Sequence, residues 1–253
     1  MTTALITGAS SGLGAEYARQ LAQRGADLVL VARDRDALNE VAASLKDTYA
    51  VRVEVLVADL LVPRQLARVA ARIGDRERPV EMLVNNAGFG LPLAFAENDI
   101  EDEGRHLTLH VEVPMRLTHA ALGAMLERGH GRILNIASVA GFIPRSTYGA
   151  CKGWLISFSR WANGAYRGRG VTVTAVCPGF THTNFHERMG LRPGHEGVSA
   201  GMWLNAADVV AESLVDAARG KAVSVPSLRY KALVALTRVV PATLAARIGA
   251  QGR

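Results

Sequence analysis

The sequence predicts an α/β fold: a single doubly wound parallel sheet of about seven strands with helices on both faces. Three observations predict it. Short apolar runs recur along the chain, over residues 4–7, 27–33, 51–57, 82–85, 132–137, 171–177 and 222–225. Most of these runs are continuous instead of alternating, as parallel strands covered on both faces must be. The segments between them carry apolar residues every three to four positions, the period of an amphipathic helix. Repeated strand–helix units with right-handed crossovers place helices on both sides of one sheet.

Taken in order, the first run leads through Thr7-Gly8-Ala9-Ser10-Ser11-Gly12-Leu13-Gly14 into a helix on which Leu13, Tyr17 and Leu21 share a face. Gly25 is the natural C-terminus of that helix. After the second run, Asp34 is an N-cap candidate for a helix carrying Leu38, Val41 and Leu45 on one side. The third run reads Val-Arg-Val-Glu-Val, the alternation of an edge strand with one wetter face. The acidic run over 97–103 is a solvated helix start, where negative charge suits the dipole. No internal repeat, low-complexity stretch or linker interrupts the pattern. The expected organisation is one dinucleotide-binding and catalytic domain over 1–225, with residues 226–253 a C-terminal helical appendage of the same domain.

Composition narrows the function. The chain has 253 residues, 49% apolar and 21% charged, enough for a well-buried core. No apolar run reaches the eighteen or so residues of a membrane span, and a strand-like run from Thr3 leaves no room for a signal peptide. Cys151 and Cys177 form neither a disulfide framework nor a CxxC pair, which points to a reducing cytoplasm. The net charge is +6, yet no acidic residue follows Asp216, whereas Arg219, Lys221, Arg229, Lys231, Arg238, Arg247 and Arg253 do. The remaining body holds 22 basic against 23 acidic residues. It shows no basic stripe with interleaved aromatics, which argues against nucleic acid. The basic tail is either a solvated face or a contact for an anionic membrane surface or an anionic substrate handle.

The glycine-rich turn after the first strand lets a phosphate approach the free N–H groups of a helix start. Gly8, Ser10, Ser11, Gly12, Leu13 and Gly14 are therefore candidate dinucleotide-binding residues. The second strand ends Val31-Ala32-Arg33. An acidic residue there would accept from a ribose 2′-hydroxyl and repel a 2′-phosphate; Arg33 instead offers a guanidinium for that phosphate, favouring NADP(H) over NAD(H). A plain surface charge is the competing reading of Arg33.

The strand over 132–137 delivers Ser138 at its carboxyl end, where open α/β sheets hold ligands. Tyr148 follows ten residues later and Lys152 four beyond it, one helical turn apart on one face. That pattern suits carbonyl reduction: a phenol exchanges the proton, a neighbouring ammonium lowers its pKa, and a serine hydroxyl bonds the substrate oxygen.

With these residues in view, the sequence resembles the short-chain dehydrogenase/reductase family over most of its length. The motifs that carry the resemblance are the glycine turn at Thr7 to Gly14, Asp59-Leu60, Asn85-Asn86-Ala87-Gly88, Ser138, Tyr148-Gly-Ala-Cys-Lys152, and Pro178-Gly179 with Thr183. The resemblance implies a Rossmann-like fold and an oxidoreductase with catalytic Ser138, Tyr148 and Lys152. It further implies that Asp59 and Leu60 border the adenine and that Asn85, Asn86, Ala87 and Gly88 hold the ribose region. Tyr148 and Lys152 also bind cofactor, and Pro178, Gly179, Thr181 and Thr183 flank the carboxamide. A homo-oligomer is expected on the same ground.

Two departures stand out. His110 occupies the position where many members carry a catalytic asparagine, and the interval from Ser138 to Tyr148 is about three residues short. They motivate an alternative, an NADP(H)-binding regulator or scaffold without turnover. His106/His110 and His182/His186 share the i,i+4 spacing of a helical zinc pair, but neither pair has an obvious third ligand, and no metal is expected. The family's substrate-covering loop falls over 185–203, where Phe185, Met189, Leu191, Met202 and Trp203 point to an apolar ketone, aldehyde or 3-oxoacyl substrate over a small charged one. Beyond it, Tyr230, Leu233, Val234, Thr237 and Val240 lie near one face of a tail helix that packs as a cap or interface, or meets anionic lipid.

Overall fold

The structure is a computed structural model that describes residues 2–92, 94–143, 145–183 and 199–237. Seven parallel strands form one sheet in the order β3-β2-β1-β4-β5-β6-β7. They are β1 Thr3–Thr7, β2 Asp27–Ala32, β3 Val53–Val57, β4 Met82–Asn85, β5 Gly131–Ile136, β6 Val171–Val176 and β7 Val223–Ser224. Eight α-helices are described: α1 Gly12–Gln23, α2 Arg35–Tyr49, α3 Pro63–Ile73, α4 Ile100–Leu107, α5 Val113–Arg128, α6 Thr147–Tyr166, α7 Ala206–Ala218 and α8 Leu228–Thr237. This is the doubly wound fold expected, and the alternating run 51–57 contributes β3 at a sheet edge.

Side chains of each strand alternate between two cores. Ile6, Leu28, Leu30 and Val84 face Tyr17, Leu38, Leu45 and Val210 of α1, α2 and α7. Their neighbours Leu5, Val29, Val31 and Leu83 face Leu66, Val69, Leu117, Met125 and Ala162 of α3, α5 and α6. Burying such a side chain fully is worth about 1.5–3 kcal/mol, so both faces are needed for stability. Local signals set the helix ends. Asp34 caps α2 by accepting from the Ala37 N–H at 3.1 Å, and Gly25 ends α1 with φ +79°.

Strand order reverses between β1 and β4, so the chain leaves the sheet on opposite sides there and opens a crevice at the carboxyl edge. Glutamate 212 fastens α8 to the body: its carboxylate accepts from the Ser227 N–H at 2.9 Å and pairs with Lys231 at 2.5 Å. Lys221 likewise pairs with Asp216 at 2.7 Å. On α8, Tyr230 and Val234 pack inward, while Leu233 is 44% exposed, so the expected apolar face is narrower than the sequence pattern suggests. Val240 and the basic residues Arg238, Arg247 and Arg253 lie outside the described residues. Among the described residues no helix is long and apolar enough to cross a membrane.

Candidate active site

The carboxyl edge of the sheet gathers the residues singled out in the sequence. The turn after β1 is built on glycine for two reasons. Gly8 and Gly12 have φ of +66° and +57°, a region other residues rarely enter. A Cβ on Gly14 would stand 2.1 Å from the Gly8 carbonyl oxygen, so α1 could not sit so close to the turn. The result is a cradle that faces the first turn of α1, whose N–H groups and dipole favour an anion. Ser10, Ser11 and Leu13 line this turn half-buried, and Arg33 stands exposed at the end of β2. These features fit a dinucleotide phosphate at the helix start.

The loop after β4 is stitched to that turn. Thr7 Oγ1 accepts from the Asn86 and Ala87 N–H groups at 2.9 and 3.0 Å, while Asn86 Nδ2 donates to the Thr7 and Gly8 carbonyls at 2.9 and 3.1 Å. Asn85 turns into the sheet, donating to Asn135 Oδ1 at 2.8 Å, and Asn135 donates to Ser159 Oγ at 3.0 Å. The side chains of Asn85 and Asn86 thus serve the scaffold, and Ala87 and Gly88 supply the surface of this loop. After β3, Asp59 Oδ1 accepts from the Leu61 N–H at 2.9 Å, and Leu60 is buried in the core. Asn135 went unnoticed in the sequence; an amide inside the apolar run Ile133-Leu-Asn-Ile was the available signal.

Ser138, at the end of β5, caps the short 3-10 turn Val139–Phe142, its Oγ accepting from the Ala140 N–H at 3.1 Å. Ser146 caps α6 in the same way, accepting from the Gly149 N–H at 3.1 Å. Tyr148 therefore stands on the first turn of α6, so the short interval still presents it beside Ser138. Burial pushes the Tyr148 phenol up to about 12, opposed by a hydrogen bond with Ser138. Lys152 lies one turn further on, with Nζ 5.5 Å from the Tyr148 ring centroid and donating to the Ile136 carbonyl at 2.7 Å. Burial brings its ammonium down to about 8. With burial the dominant effect, the phenol is protonated at neutral pH.

Two histidines back Tyr148. The helix from α4 to α5 widens into a π-turn over Thr108–Glu112 that carries His110. Such turns recur at functional sites. His110 is 1% exposed, its Nε2 lies 2.7 Å from the Phe89 carbonyl oxygen, and its ring centroid is 5.6 Å from that of Tyr148. His106 lies alongside, centroids 4.3 Å apart, with Nδ1 4.0 Å from Cys151 Sγ. Burial holds His106 down to about 4 and His110 well below its ordinary value, the charge of Lys152 adding to both. His110 Nδ1 and His106 Nε2 are buried without a protein partner. Cys177 is fully buried with its thiol pushed up to about 12, so it is a packing residue. No cluster of metal-ligating side chains occurs among the described residues.

The loop after β6 closes the other side. Thr181 Oγ1 donates to the Gly179 carbonyl at 3.0 Å, and Thr183 reaches across to Gly12, whose added Cβ would meet Thr183 Cβ at 3.3 Å. Pro178 is buried, and its carbonyl accepts from the Val139 N–H at 3.0 Å. His182 stacks on Trp203 with centroids 4.8 Å apart. His186, Phe185, Met189 and Leu191 lie outside the described residues. A groove of about 780 Å³ between α3 and α5, lined among others by Leu60, Leu66, Met115 and His119, includes no residue of the glycine turn or of α6.

Comparison with known proteins bears on the family and the fold. The family model described as short chain dehydrogenase matches residues 2–192. A short-chain dehydrogenase from Sphingobium yanoikuyae in complex with NADPH is 38% identical, with 94% of each chain covered and a TM-score of 0.85. The bulky-bulky ketone specific alcohol dehydrogenase from Comamonas testosteroni is 33% identical, covering 94% of this chain and 92% of that one, with a TM-score of 0.80. The very-long-chain 3-oxoacyl-CoA reductase of Anas platyrhynchos is 32% identical over 187 residues, spanning 71% of this chain and 60% of that enzyme.

Proposed function

This chain belongs to the short-chain dehydrogenase family and is an oxidoreductase; from that premise we propose that it is an NADP(H)-dependent reductase of an apolar ketone, aldehyde or 3-oxoacyl group. The observation that carries the reading is the meeting of Ser138, Tyr148 and Lys152 at the carboxyl edge of the sheet, beside a glycine cradle.

The cofactor, when bound, supplies or accepts the hydride. Tyr148 gives its proton to the carbonyl oxygen as charge develops there, and its protonated state at neutral pH suits reduction. Ser138 donates a hydrogen bond to the same oxygen, and general electrostatic stabilisation of this kind is among the largest contributions to catalysis. Lys152, held by the Ile136 carbonyl, stabilises the phenolate that remains and binds the ribose. Gly8, Ser10, Ser11, Gly12, Leu13 and Gly14 hold the pyrophosphate, and Arg33 the 2′-phosphate. Asp59 and Leu60 border the adenine, Ala87 and Gly88 form the ribose wall on the scaffold that Asn85 and Asn86 hold, and Pro178, Gly179, Thr181 and Thr183 face the carboxamide. The NADPH complex of the Sphingobium relative supports the choice of cofactor.

Phe89 on the loop after β4, and Phe180 and Trp203 on the opposite side with centroids 5.7 Å apart, support an apolar substrate. The ketone named for the Comamonas relative and the 3-oxoacyl-CoA named for the avian one fall in this class. The test is NADPH consumption over bulky ketones, 3-oxoacyl thioesters and a small anionic aldehyde. Turnover highest on an apolar member is expected. Preference for the anionic aldehyde contradicts the substrate class, and NADPH binding without any turnover favours a regulator.

A further inference from the structure

Tyr230 belongs to no motif, yet it packs closely against the loop after β6. It is 3% exposed. A Cβ on Gly179 would fall 2.0 Å from Tyr230 Cζ, so the ring lies directly against the Gly179 backbone. Its hydroxyl accepts from the Phe180 N–H at 3.1 Å and donates to the Met202 carbonyl at 2.8 Å.

Those bonds join two backbone stretches that pair with each other. Thr181 and Leu204 form a parallel bridge, with Leu204 N–H donating to the Phe180 carbonyl at 2.8 Å and His182 N–H to the Leu204 carbonyl at 3.0 Å. The same loop continues back to the catalytic serine, because the Pro178 carbonyl accepts from Val139, the residue after Ser138. Helix α8 itself packs on the Val139–Phe142 turn, and Glu212 holds it from outside through Ser227 and Lys231.

We infer that Tyr230 is a positioning residue: it sets the height of the Gly179 to Thr181 backbone, and thereby the seat of the nicotinamide end of the cofactor. The inference rests on the functional reading above, which puts the carboxamide at that loop. The ring fixes the loop by contact and the hydroxyl fixes it by two hydrogen bonds, so the two contributions separate in Tyr230→Phe. The adenine end of the cofactor, held by the turn after β1 and by Arg33, is outside its reach.

The experiment compares the affinity of wild type and Tyr230→Phe for NADPH and for 2′-phospho-ADP-ribose, which lacks the nicotinamide. NADPH binding should weaken about fivefold to tenfold, the scale of one or two lost hydrogen bonds, with the fragment unchanged. Unchanged affinity for both, or an equal loss for both, overturns the inference; a general loss of structure would lower the two together. Should Tyr230→Phe not fold, Glu212→Ala releases α8 from its solvent side, where the Glu212 side chain is 34% exposed. The same selective loss is expected there, and an equal or absent loss is contradictory. A wild-type protein that binds neither molecule overturns the functional reading instead.

Discussion

Lys152 Nζ donates to the Ile136 carbonyl at 2.7 Å while standing 5.5 Å from the centre of the Tyr148 ring. The last residue of β5 and the first turns of α6 are thereby locked in one geometry, with Ser138 two residues beyond Ile136. Neither side chain floats toward solvent. The ammonium gives one hydrogen bond to the scaffold, and the strand end that presents Ser138 also sets where Lys152 points.

The glycine cradle yields a contrast between two substitutions. Gly14→Ala places a Cβ 2.1 Å from the Gly8 carbonyl oxygen and 2.5 Å from Asn86 Nδ2. It should destabilise the protein by about 1–3 kcal/mol and abolish measurable NADPH binding, because the turn must move off the helix start. Gly25→Ala meets nothing within 4 Å and suffers only from its φ of +79°. A cost of about 1 kcal/mol with cofactor affinity intact is expected. Thermal unfolding and NADPH titration of both variants check the pair.

Arg33 is the cheapest test of cofactor choice. It is exposed and its site is otherwise plain, so Arg33→Ala should leave folding untouched. Loss of a charge-assisted bond to a 2′-phosphate should shift the NADPH-to-NADH affinity ratio toward NADH by roughly tenfold to a hundredfold. An unchanged ratio means that Arg33 is a surface charge.

The buried histidines predict how stability responds to acid. Burial keeps His106 down to about 4 and His110 lower than its ordinary 6.5. Between pH 6.5 and 4 the unfolded chain takes up protons that the folded chain refuses, so stability is full above pH 6.5 and falls through that window. From His106 alone the loss by pH 4.5 is roughly 2.5 kcal/mol. Denaturant unfolding at pH 7 and pH 4.5 measures it, and His106→Phe should flatten the dependence. If the variant and the wild type lose stability equally, His106 is not an acid-sensitive group.

Much of this was legible in the sequence. Continuous apolar runs gave β1, β2, β4, β5 and β6, because strands covered on both faces have no polar side to hide. Thr7 to Gly14, Ser138, Tyr148 and Lys152 were visible because each sits at a strand end or helix start that fixes its position in space. What escaped notice depends on long-range packing. Nothing near Tyr230 in sequence announces Gly179, fifty-one residues earlier, as its partner. His110 read as an odd substitution, and only the fold shows it buried beside Tyr148 and bound to Phe89. Spacing likewise reveals the ammonium neighbouring Tyr148 but not the burial that raises the phenol.

The most direct test of the account is single-turnover NADPH oxidation by Tyr148→Phe beside wild type, with NADPH affinity measured on both. Phenylalanine keeps the ring against His110 and removes only the phenolic proton. The account predicts unchanged or slightly weakened cofactor binding and a rate lower by at least about a hundredfold on the best apolar carbonyl, the scale of lost general acid catalysis. A variant that oxidises NADPH as fast as the wild type would contradict the assignment of Tyr148 as the proton donor.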